Sequence, residues 1–230
     1  MAVIVIVGTG LISYARQAPA ASDVAPTTSD RCHIPFGIYH CDAYLPNLLI
    51  DKQKADTADE NFSKYGVFSR EDGVIRWYPQ IASAGKKAKL GLYLDTYGVE
   101  VTTKGITFPA DQNKGVSYKV DTDKCKDENG KQADATVQVI VWEKASDSTI
   151  SKRYITDFKN IRIDRDEMAI TIAFVPAGAD IPLPDSAEKL AEIKSQLSLP
   201  EIELGQTEEA LIGIDKEISS RSENISNDWS

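Results

Sequence analysis

Reactive side chains are concentrated in one short stretch. CHIPFGIYHC, Cys32 to Cys41, carries both histidines and two of the three cysteines of the 230-residue chain. Thiolate and imidazole are ligands that zinc and copper favour. The same groups form a nucleophile–base pair when a histidine activates a thiol. The third chemistry is oxidation, with cysteines bridged and the histidines left as ordinary surface groups. Adjacent residues in a strand point to opposite faces, so Cys32-His33 and His40-Cys41 would each need a turn or bulge to converge on one ion. Their spacing is not that of a CxxC knuckle either. Catalysis through Cys32 or Cys41 would have to be built from this stretch alone, because the chain has no other histidine.

No Walker loop, GxGxxG, GxSxG or HExxH occurs elsewhere. The acidic cluster DTDKCKDENG, Asp121 to Gly130, lacks the ligand spacing and final Glu of a calcium loop. Lysines interrupt it, and it reads as a solvated turn. The expectation is therefore a non-enzyme with no cofactor, no metal and no small-molecule substrate.

The elements that must position CHIPFGIYHC follow from periodicity. Leu90, Leu94 and Tyr97 share a face, and Gly98 stands where a helix stops, which predicts a helix over Lys86–Tyr97. Thr136–Trp142 reads as a strand through alternating Val137, Val139 and Val141. Ile161–Ile163 and Met168–Val175 flank the polar turn Asp164 to Glu167 and should pair as a hairpin. Shorter strands are expected at Gly37–Cys41, Val74–Tyr78 and Val116–Val120. One main helix among antiparallel strands predicts an α+β domain.

Four regions result. Residues 1–16 bear no charge before Arg16, an apolar run of about 15 residues against the roughly 20 of a spanning helix. They read as an N-terminal transmembrane helix, whole or truncated, with a signal peptide or a buried β-branched strand as alternatives. Residues 17–30 are small, polar and proline-bearing, a tether. Residues 31–184 form the single α+β domain, expected to be extracytoplasmic. Residues 185–230 form an acidic helical extension and tail.

Net charge is −9, and residues 185–230 hold 11 acidic against 4 basic residues. A nucleic-acid partner, which needs a basic face, is excluded. In the extension Asp185 and Glu188 suggest a capping box. Leu190, Ile193 and Leu197, then Leu211, Ile214 and Ile218, form apolar stripes on segments too short to stand alone in water. Those six residues are the predicted partner-binding set.

Five segments in order, FGIYHCDAYLPNL, YGVFSREDGVIRWYPQ, SAGKKAKLGLYLDTYGVEVT, VQVIVWEK and IAFVPAGADIPLP, resemble a family of actinobacterial envelope proteins. The resemblance spans about Asp30 to Pro184. It implies one N-terminal transmembrane helix, an extracytoplasmic α+β domain and no known enzymatic activity. It also implies a Cys41–Cys125 disulfide, with Cys32 the odd cysteine. Closing that long loop is worth about 4–5 kcal/mol in chain entropy, against roughly 2.5–3 for a Cys32–Cys41 loop. Family members are rich in histidine where this chain has Arg31, Phe68, Arg70, Arg76 and Tyr78, and only His33 is retained. Arg has no free lone pair, so a metal site there would be lost.

With its acidic extension the chain is similar to an accessory subunit of the cytochrome bc–cytochrome c oxidase supercomplex of corynebacteria and relatives. That implies a non-catalytic, single-pass protein of the cell membrane. Its partners would be integral membrane respiratory subunits, with membrane lipid around the N-terminal helix. Two alternatives stand beside it. One is an envelope metal-binding protein using Cys32, His33 and His40. The other is a free-standing envelope interaction module.

Overall fold

The computed structural model describes residues 24–49 and 64–198. Among these residues, strands account for 38% and helices for 18%. The α+β expectation is corrected to a mostly β fold with a curled sheet. The strands are β1 (Cys32–His40), β2 (Ala43–Tyr44), β3 (Val67–Ser69), β4 (Val74–Trp77), β5 (Glu100–Thr102), β6 (Gly105–Thr107), β7 (Ser117–Lys119), β8 (Lys124–Lys126), β9 (Gln132–Lys144), β10 (Asp147–Tyr154) and β11 (Ala169–Pro176). Two α-helices are described, α1 (Leu90–Thr96) and α2 (Leu190–Ser198).

Neither helix is long and apolar enough to cross a membrane. Nine residues of α2 rise about 14 Å, against a hydrocarbon core of about 30 Å. The expected single-pass membrane location is corrected on that finding. The anchor itself, residues 1–16, lies outside the described residues, as does most of the tether. The described end of the tether is docked. Pro26 is buried, its carbonyl accepts Gly85 N–H at 2.7 Å, and Ala25 O accepts Arg162 Nη2 at 2.8 Å.

The main sheet runs β10-β9-β11-β1-β4-β3, with β2 on β1 and β8 on β9; β5-β6-β7 form a small second sheet. β1 is central and changes partner midway. Cys32–Pro35 pair antiparallel with β4, then Phe36–His40 pair parallel with β11. Pro35, with no N–H to donate, stands at the changeover. The apolar run AITIAFVP of β11 is buried along its length, as a strand covered on both faces requires.

The predicted hairpin is replaced by a different pairing. β11 pairs with β9 over eight residues, from Ala169↔Trp142 to Pro176↔Ala135. Ile161–Ile163 lies instead along Ala88–Leu90, with Leu90 N–H donating to Ile161 O and Ile163 N–H to Ala88 O. β10, absent from the sequence-based expectation, pairs with β9. Its sequence DSTISKRY carries little apolar alternation because it is an exposed edge.

The predicted helix Lys86–Tyr97 is broken into a 3-10 turn at Gly85–Lys87 and the seven-residue α1. Lys89 between them is extended and bridges Arg162. Gly91 of α1 is required by close packing, since a Cβ there would lie 2.7 Å from Lys159 Cβ and 2.8 Å from Lys159 O. Gly98, at φ +64°, ends the helix in the left-handed region.

The first compact unit extends through Leu190, and Ala191 begins a second. The capping box does not form. Asp185–Ala187 is a 3-10 turn without a side-chain cap, and Ser186 Oγ donates to Gly73 O at 2.9 Å.

Candidate functional site

CHIPFGIYH is one continuous strand, so the sequence's reactive cluster is pulled apart. His33 and His40 have opposite parity and face opposite sides of the sheet. They are seven positions apart, about 23 Å along an extended chain. Cys32, His33 and His40 therefore cannot share an ion, and that alternative is corrected. Each end of β1 builds its own corner.

At the first corner the strand registers bring His33 opposite Arg76 and Phe68 opposite Arg76. Arg31 Cζ lies 5.2 Å above the Tyr78 ring, and Arg76 and Arg70 each lie 5.9 Å from the Phe68 ring. His33 Nε2 and Tyr78 Oη are 3.0 Å apart. The six positions singled out by the resemblance thus converge. Only one of them is an imidazole, so the donor set does not hold a metal.

Arg76 is 2% exposed, and its guanidinium donates to both Asp72 oxygens, at 3.1 and 2.6 Å. Burial pushes the Asp72 carboxyl up. The Arg76 hydrogen bonds and the Val74 N–H outweigh it and hold the group below the usual carboxylate value. Burial raises the Tyr78 phenol, opposed by Arg76, Arg31 and Arg70. Asp166 Oδ1 accepts His33 N–H at 2.7 Å and fixes the start of β1.

At the second corner Cys41 Sγ is bonded to Cys125 Sγ, the pair named by the resemblance, 84 positions apart in sequence. The bridge ties the end of β1 to β8. Cys41 sits at φ 54°, in the left-handed region that non-glycine residues avoid, and its N–H donates to Phe174 O at 3.0 Å. His40 stacks on Tyr118 at 4.0 Å between centroids and on Phe174 at 5.7 Å. His40 Nε2 lies 3.6 Å from Cys41 Sγ. Burial lowers the His40 imidazole, while Asp123 and Asp42 oppose the shift. An open cavity of about 600 Å³ adjoins it, lined by His40, Ser117, Tyr118, Thr122, Asp123, Lys124 and Gln132.

Cys32 lies outside the disulfide, 3% exposed in the core beside Ile34. Leu190 is buried at the end of the first unit. Ile193 and Leu197 belong to α2. Leu211, Ile214 and Ile218 lie outside the described residues. Sequence reasoning missed Asp72, Asp166, Tyr118 and Phe174. Asp72 was findable, since it opens the Asp-Gly turn four residues before Arg76. Tyr118 and Phe174 gave no signal, because only the tertiary fold brings them to His40.

No family model, no curated protein and no solved structure matches the chain.

Proposed function

We propose that the chain is a non-catalytic interaction domain serving as an accessory subunit of a larger assembly. The resemblance directs this to a respiratory cytochrome bc–cytochrome c oxidase supercomplex, with integral membrane respiratory subunits as partners. The observation that carries the proposal is β10. This eight-residue strand forms one edge of the main sheet, paired on one side by β9. Its residues Ser148–Arg153 are exposed, Ile150 by 52%, and Ile155 just beyond it by 65%. A row of unpaired edge groups flanked by exposed aliphatic side chains is a template for strand addition or docking. The chemistry of the corners agrees. Cys41 is a disulfide sulfur with no thiol to activate, and His33 is bonded to Tyr78.

Leu190 leaves the partner-binding set, because its side chain is already buried. Ile193 and Leu197, with the downstream Leu211, Ile214 and Ile218, keep their proposed role. The test is affinity purification of the full chain from its native host after mild detergent extraction. Cytochrome subunits should co-purify, and Ile150→Lys with Ile155→Lys should release them without unfolding the domain. Truncation after Leu190 should weaken the association. Recovery of a lone monomer overturns the proposal and favours the free-standing module.

A further inference from the structure

We propose that reduction of the Cys41–Cys125 bridge converts this corner into a site for a thiophilic divalent cation of the zinc class. Its ligands would be Cys41 Sγ, Cys125 Sγ and His40 Nε2. The proposal is independent of the accessory-subunit reading and rests on where the disulfide lies. The three ligand atoms are all within 4.8 Å of one another. Zinc binds thiolate at about 2.3 Å and imidazole at about 2.0–2.1 Å, so a tetrahedral N···S edge is about 3.6 Å. His40 Nε2 and Cys41 Sγ are already 3.6 Å apart.

One distance must change. A tetrahedral S···S edge is about 3.8 Å, far longer than a covalent S–S bond. Cys125 is 1% exposed on β8, whereas Cys41 is half-buried beyond the last residue of β1. Cys41 is therefore the sulfur with room to move, and its rotation must part the sulfurs while keeping Sγ within reach of the His40 imidazole. His40 needs no new partner to be held, since Tyr118 and Phe174 already stack on its ring. The open cavity brings solvent to His40, and water would fill the fourth position.

The redox step needs a named reductant. In exchange with a dithiol, the Cys41–Cys125 S–S bond breaks, two thiols form and the reductant leaves as its own disulfide. With a phosphine, water supplies the oxygen of the phosphine oxide and the protons of the two thiols. The cation then displaces both thiol protons to solvent.

The test uses the full chain carrying Cys32→Ala, which removes the third thiol. It is reduced with a phosphine and titrated with Co²⁺, then with competing Zn²⁺. One Co²⁺ per chain should bind, with a thiolate-to-cobalt charge-transfer band in the near ultraviolet. The oxidised chain should show no such band. His40→Ala should weaken binding by about tenfold or more, and His33→Ala should leave it unchanged. The proposal is overturned by absence of the band after reduction, or by equal affinity in His40→Ala. It is also overturned if the reduced chain loses its far-ultraviolet circular dichroism and Zn²⁺ does not restore it.

Discussion

β1 carries a histidine near each end, and the two live under different physics. His33 is one member of a polar corner in which Asp166 and Tyr78 hydrogen-bond to His33 while Arg76 pairs with Asp72. His40 packs against two aromatic rings beside a covalent cross-link. The first corner is held by electrostatics that depend on pH and on each partner. The second is held by a bond that constrains the unfolded chain and is insensitive to salt. The same residue type thus marks a hydrogen-bonded seam at one end and a redox-sensitive clamp at the other.

The comparison is broken most forcefully at the clamp. Replacing both Cys41 and Cys125 by Ser should lower unfolding stability by about 4–5 kcal/mol, from chain entropy alone. Urea denaturation of wild type against the variant measures this. A loss below about 1 kcal/mol would mean that the denatured chain is already compact across this loop.

The seam should respond next. Arg76→Ala leaves Asp72 without its ion partner and should cost about 2–3 kcal/mol. That is less than the 3–5 of a fully buried pair, because the Asp72 side chain is 27% exposed. Arg76→Met, which keeps the apolar volume, should cost clearly less in the same denaturation experiment.

The seam also carries an acid-side pH signature through its carboxylate. The Asp72 carboxyl is held below its usual value in the folded protein. Its contribution is fully present above the ordinary carboxylate pKa. It is lost as pH falls through the depressed folded value. Asp72→Asn should flatten the acid limb of the stability profile below the ordinary carboxylate pKa, followed by the thermal midpoint across pH. An unchanged acid limb would remove Asp72 from the seam.

The smallest expected effect sharpens the contrast between the histidines. Tyr78→Phe removes the hydroxyl that meets His33 Nε2 and should cost about 1 kcal/mol. Measured by calorimetry, the change should be additive with the cysteine double variant, since the two corners sit at opposite ends of β1.

Some of this was legible in the chain. Val137, Val139 and Val141 announced the core strand β9, and the Val74 and Ser117 strands lie where alternation placed them. Gly98 marked a true helix end. β10 stayed hidden because an exposed edge strand need not alternate. The Ile161 segment was misassigned to a hairpin because apolar alternation shows that one face is buried and not which neighbour buries it. The first corner was found through the resemblance, and strand register then showed that its six positions meet. The second was half found, since the cysteines could be paired while the rings around His40 could not.

Local chemistry in the sequence determined that a strand would cover Gly37 to His40 and that Arg76 could not serve as a metal ligand. It also determined that the charge of the chain would gather beyond Pro184. Those properties belong to single residues and their immediate neighbours. Tertiary structure alone decided that β11 would lie parallel to β1, and that Phe174 and Tyr118 would both pack against His40. It also decided that β10 would be the open edge. Each of these depends on contacts between residues dozens of positions apart. Their loop-closure cost is recovered only when the whole core assembles, so no local pattern records them.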